Sequence, residues 1–145
     1  MIKDTIKITG DVTIKLFNQD GSLKDTREIK NLVVTTGKQF IAGRMTGTPT
    51  AMSHMAAGAG TTAAAAGDTA LQSELGRVAL TSATTVGAVT TYVASFPAGT
   101  ATGAVTEAGV LNASSGGTLL CRTVFAVVNK GADDAMSITW AITVS

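Results

Sequence analysis

The chain has 145 residues with a formal net charge of +1, and 14% of its positions are charged while 45% are hydrophobic. That length fits a single domain over residues 1–145, and the low charge excludes both a conventional disordered region and a strong field for nucleic acid or an anionic membrane. One Cys and one His exclude a disulfide framework and most metal sites built from those ligands.

Met1-Ile2-Lys3-Asp4 leads straight into alternating sequence with no apolar stretch of signal-peptide type. In residues 11–16, Val12, Ile14 and Leu16 share one face while Asp11, Thr13 and Lys15 share the other, as in a half-buried strand. Asn18-Gln19-Asp20-Gly21-Ser22 reads as a turn, and Leu23 to Val34 returns as a second strand, so Val12 to Val34 is expected to be a hairpin. Thr35-Thr36 can cap a short helix near residues 36–45, where Phe40, Ile41, Arg44 and Met45 have helical spacing.

Residues 46–67 are of low complexity and are expected to form a mobile loop, with a short strand near Met52–Ala57. The Ala63–Ala66 run is hemmed by Gly60 and Gly67 and is too short to nucleate a helix. Thr69 and Gln72 have capping-box spacing, which suggests one turn over Asp68–Glu74. The remainder reads as strands at Arg77–Ser82, Ala88–Phe96, Ala104–Leu111, Thr118–Asn129 and Met136–Val144, each bounded by Gly-, Pro- or Asp-containing breaks. Met136, Ile138, Trp140, Ile142 and Val144 alternate cleanly with small polar residues. Short strands with regular turn signals and no long helices predict an all-β antiparallel sandwich, jelly-roll-like, with one short helix.

The charges are unevenly placed. Residues 1–44 hold 13 of the 21 charged side chains, and none lies between Arg77 and Glu107. That uncharged stretch carries Gly87, Pro97, Gly99 and Gly103 and never reaches about 18 consecutive apolar residues, so it is not read as a membrane span. With 24 Thr, 23 Ala and 16 Gly, the surface draws its polarity from small residues. Mixed charge is what normally resists association, so the composition suggests life packed against copies of itself or a scaffold.

Reactive constellations are sparse. His54 is the only imidazole and has no carboxylate near it in sequence, whereas base catalysis needs an orienting partner as well as a ring. Cys121 alternates with Leu119, Thr123 and Phe125 and reads as a small core residue with Arg122 on the opposite face. Gly58-Ala59-Gly60-Thr61-Thr62 lacks the Lys and the following helix of a phosphate loop. Asn18-x-Asp20-Gly21 resembles part of a calcium loop, but Leu16 and Arg27 stand where the first and last ligands belong. Asn112-Ala113-Ser114 fits a glycosylation sequon and reads as a turn, and Asp133-Asp134 reads as a solvated hairpin turn. Arg77 and Glu107 are isolated charges in apolar β sequence, so they pair with each other, pair with another subunit, or face water at strand edges. No catalytic, metal or cofactor residue is assigned, and the sequence is expected to encode a non-enzyme.

Three blocks carry a resemblance. They are Lys30-Asn31-Leu32-Val33-Val34-Thr35-Thr36-Gly37-Lys38-Gln39-Phe40-Ile41-Ala42, then Ala57-Gly58-Ala59-Gly60-Thr61-Thr62 with Asp68-Thr69-Ala70-Leu71 and Glu74-Leu75-Gly76-Arg77, and finally Thr106 to Ala113 with Leu119 to Phe125, Asn129-Lys130-Gly131 and Ile138-Thr139-Trp140. Together they resemble small virion structural proteins of tailed bacteriophages, most closely the capsid cement or decoration proteins. The resemblance implies a β module made in the host bacterial cytoplasm. It would sit on the capsid surface, bind the major capsid protein as a homo-oligomer (dimer or trimer), and stabilise contacts between shell subunits without nucleic acid, membrane or cofactor. Head-fibre or tail-fibre modules used in attachment are the alternative. The Thr46–Gly67 loop and the charged N-terminal hairpin are the regions expected to meet the shell.

Overall fold

A computed structural model describes residues 5–145, and the Met1–Asp4 lead-in lies outside them. In chain order the elements are β1 (Ile8–Phe17), β2 (Leu23–Lys30), β3 (Leu32–Val33), α1 (Thr35–Arg44), β4 (His54–Gly58), β5 (Glu74–Ala79), β6 (Ser82–Val86), β7 (Val89–Phe96), β8 (Gly103–Leu111), β9 (Leu119–Lys130) and β10 (Ala135–Val144). They make two five-stranded antiparallel sheets, ordered β2-β1-β10-β7-β6 and β3-β9-β8-β4-β5. The two pack face to face as a β-sandwich.

Period-two patterning explains the first sheet. Register places Val12 against Trp140, Ile14 against Ile138 and Leu16 against Met136. On the other side of β10, Trp140 meets Tyr92, Ile138 meets Ala94 and Met136 meets Phe96. These side chains all point inward and are buried. The facing sheet contributes Met55, Ala57, Val105, Ala108, Val110, Cys121 and Val128 to the same core. Each large apolar side chain buried this fully contributes about 1.5–3 kcal/mol, and Trp140 lies at zero exposure in the middle. Among the described residues no helix is long and apolar enough to cross a membrane.

The structure corrects several local expectations. The return strand of the hairpin does not run unbroken to Val34. It ends at Lys30, and after Asn31 the chain passes to the other sheet, where Leu32 and Val33 pair with Arg122 and Cys121. Asn31 makes the crossing tight, with its N–H donating to the Gly10 carbonyl at 3.1 Å and its amide seated where a Cβ on residue 10 would have to be. Helix α1 forms where expected, but Val34 holds the cap position and no side chain caps it. The Thr36 hydroxyl instead donates to the Leu119 carbonyl at 2.9 Å, tying the helix to β9.

Within residues 46–67 the short strand expected near Met52–Ala57 forms as β4, shifted slightly to His54–Gly58. It is hydrogen-bonded on both sides and has Met55, Ala56 and Ala57 at zero exposure. The Arg77–Ser82 segment is not one strand: it spans the end of β5 and the start of β6, which lie in different sheets. β6 escaped the apolar-alternation test because all five of its side chains are exposed. Thr69 and Gln72 form no capping box. The Gln72 amide oxygen accepts from the N–H groups of Thr61 and Thr62, both at 3.0 Å, in an ordered non-helical turn.

Candidate functional site

Along β8, Val105 points inward, and a bulge between Val105 and Glu107 then flips the alternation, so that Ala108 and Val110 face the core while Glu107, Gly109 and Leu111 lie on the outer face of the second sheet. On β9 the same rule turns Arg122 outward, opposite Gly109. An outer face should be wet, yet Glu107 is fully buried and Arg122 nearly so. The segment Ala59–Ser73 folds back over them as a strap.

Glu107 fastens both ends of that strap. Its Oε2 accepts from the N–H of Gly60 at 2.6 Å and of Ser73 at 2.7 Å, and its Oε1 accepts from the N–H of Gln72 at 2.8 Å and from Arg122 Nε at 3.0 Å. Arg122 then reaches onward, with Nη1 donating to Asp68 Oδ2 at 2.9 Å and Nη2 to the Thr62 carbonyl at 3.0 Å. Thr106 adds a bond from its hydroxyl to the Gly60 carbonyl at 2.7 Å. Beneath the strap, Leu71 completes a small second core with Val34, Ala56, Leu111 and Leu119. Close approach explains the glycines that resembled a phosphate loop. A Cβ at Gly58 or Gly60 would strike Glu107, and one at Gly109 would lie 2.6 Å from Leu71.

Burial alone would raise the Glu107 pKa. The N–H donors of Gln72 and Ser73, the Arg122 guanidinium and the Gly60 N–H outweigh it and hold the carboxyl below the usual glutamate range. A buried pair with every lone pair occupied is the arrangement in which ionic burial is tolerated.

Arg77 and Glu107 do not pair with each other. Arg77 makes a two-bond contact with Glu74, at 3.1 Å from Nε and 2.7 Å from Nη2. Its Nη1 donates to the carbonyls of Ala113 and Gly116, both at 2.9 Å, holding the β8–β9 loop. Two arginines on one sheet face thus fasten two loops. Of the first cluster the sequence marks only Glu107 as an isolated charge, and it places Arg122 only on the face opposite Cys121. Their partnership depends on cross-strand register, and Asp68 joins them through the fold-back of the strap, neither of which the sequence displays.

The other candidates serve local structure. His54 lies on β4 with its Nδ1 2.8 Å from the Ser53 hydroxyl, and among the described residues it pairs with no carboxylate. Cys121 is entirely buried between the sheets, and burial pushes its thiol far above the usual range. Asp20 Oδ1 accepts from the Ser22 N–H at 2.9 Å and from its hydroxyl at 2.6 Å, so the Asn18–Ser22 segment is a turn. Asn112 braces its own loop through Thr118 N–H at 2.7 Å and the Thr50 carbonyl at 3.1 Å. Asp134 Oδ2 accepts from Gly131 N–H and Lys24 Nζ, both at 2.8 Å. Among the described residues no group of three His, Cys, Asp or Glu is placed to hold a metal ion.

A cleft of about 380 Å³ opens where α1 meets the end of the first sheet, walled by Phe40, Met52, Tyr92, Leu120 and Ile142. Tyr92, the one tyrosine of the chain, stands in its wall, and burial pushes its phenol up to about 12. The walls are mostly apolar, with Arg44, Thr85 and Thr90 as further polar members and no carboxylate or imidazole to activate a hydroxyl. No family model, curated protein or solved structure matches this chain.

Proposed function

We propose that this chain is a structural component of a tailed-phage virion, which binds the outside of the assembled capsid and stabilises contacts between major capsid subunits. The observation that carries the reading is the strap. Its exposed stretch, Thr61–Gly67, is uncharged and built from Thr, Ala and Gly, while Glu107, Arg122 and Gln72 hold the strap with seven hydrogen bonds of 2.6–3.0 Å. A small-featured surface of fixed shape suits close packing against a repeating neighbour, because little conformational entropy is left to lose on docking. The resemblance of the sequence blocks supplies the destination.

In this reading the protein acts by shape, and its buried ionisable groups are engaged in fastening loops rather than in a reaction. A cement that binds only the assembled shell stabilises it by mass action, even at modest affinity per copy. Quantitative mass spectrometry of purified particles tests the assignment. Many copies per head, at capsid-subunit junctions, are expected, and heads lacking the chain should rupture at lower temperature although their shells still assemble. A handful of copies confined to the tail would replace cement with the fibre alternative.

A further inference from the structure

We infer that the free edge of β6 receives the β6 of a second copy of this chain, antiparallel about Thr84, joining two first sheets into one. Four strand edges close the sandwich, and an unprotected edge is an invitation to pair. β2 carries Lys24, Asp25, Arg27, Glu28 and Lys30 along its length. β3 is two residues long. β5 bears Glu74 and Arg77 and is irregular in register against β4. β6, Ser82-Ala83-Thr84-Thr85-Val86, has none of these devices: no charge, no proline, and every side chain exposed. Among the described residues nothing pairs with its outer side.

The backbone is set for pairing. A two-residue turn at Gly87-Ala88 joins β6 to β7, with Val86 opposite Val89. In an antiparallel ladder hydrogen-bonded and non-hydrogen-bonded positions alternate, so Ala83 and Thr85 aim their N–H and C=O groups at the open edge.

The occupant follows from charge. On a two-fold axis each residue meets its own symmetry mate, so any charge near the axis opposes itself. Neither β6 nor its neighbour β7 carries one. Laid antiparallel on itself, the strand sets Thr84 against Thr84, Ala83 against Thr85 and Ser82 against Val86. The last contact covers a valine that is 78% exposed in the single chain. The opposite edge, β2, is charged throughout, which disfavours head-to-tail addition through β2 and leaves a closed dimer. This pairing is a property of the chain alone and does not rest on a capsid destination.

Full-length protein tests it by light scattering and cross-linking. The wild-type chain should be a dimer, and Thr84→Lys should raise its dissociation constant by at least about 100-fold, since like charges would meet across the axis. Thr84→Cys should form a covalent dimer on mild oxidation, because facing non-hydrogen-bonded positions bring Cα atoms within disulfide reach. Cys121 is buried and leaves the background silent. Thr26→Cys on the charged β2 edge is the matched control. A wild-type monomer or trimer, a Thr84→Cys chain that cross-links no better than Thr26→Cys, or a dimer that survives Thr84→Lys overturns the inference. The cysteine pair decides the question even if the lysine variant fails to fold.

Discussion

Trp140 and Glu107 are both at zero exposure, one between the sheets and one on the far side of the second sheet. Around Trp140 everything is apolar contact. Val12 and Tyr92 flank it in register, and its indole N–H finds no acceptor among the described residues. An orphaned donor of that kind costs about 1–3 kcal/mol, which the burial of so large a side chain offsets. Around Glu107 every bond has a direction and each oxygen serves two donors. The contrast separates two ways of holding a chain: the core tolerates an imperfect polar fit because its attraction is spread over area, whereas the joint holds only while all its partners are in place.

The largest effect should come from the core. Trp140→Ala is expected to cost about 3–5 kcal/mol, read by chemical denaturation, with all amides losing protection together. Near-wild-type stability would mean that the packing between sheets is not what holds them. Glu107→Ala should cost less, no more than about 3 kcal/mol, the low end for a broken buried pair. The strap can lift and let water reach Arg122, so its own opening caps the loss. Hydrogen exchange should therefore rise at Gly60, Gln72 and Ser73 while β1 and β10 remain protected. Equal loss in the core strands would erase the distinction between the two regions.

Acid gives the smallest and finest test. The folded Glu107 carboxyl lies below its ordinary value of 4.5, so the strap's ionic stabilisation is complete above that value. It is lost as pH falls through the lower folded one, where the protonated form is no longer disfavoured. Strap amides should begin to exchange freely on the acid side of the glutamate range before β10 does. Loosening toward alkaline pH instead would contradict the assignment.

The contrast also explains what could be read in advance. Strands β1, β7, β8, β9 and β10 were legible because large apolar residues alternate along them, and so the sandwich and the burial of Trp140 followed from the sequence. The strand near Met52–Ala57 was legible, but its burial on both faces was not, because Ala56, Ala57 and Gly58 are small, and they are small because a strap lies against one face and a core against the other. β6 hid because a strand with no buried side chain writes no period into the chain. The joint itself was half visible. An isolated charge marked Glu107, but Arg122 is 15 residues away and Asp68 another 54 from Arg122, separations that sheet register closes in the first case and the fold-back of the strap in the second.

The crossing at Asn31 bears on how this sequence can drift. Any side chain at position 10 would occupy the space of the Asn31 amide, whose polar atoms find no partners among the described residues. Enlarging residue 10 while Asn31 stays should be purged, and so should exchanging Asn31 for something bulkier while Gly10 stays. Relatives that depart from glycine at the first position should carry a smaller residue at the second, so the two sites should vary as a pair across 21 positions of chain.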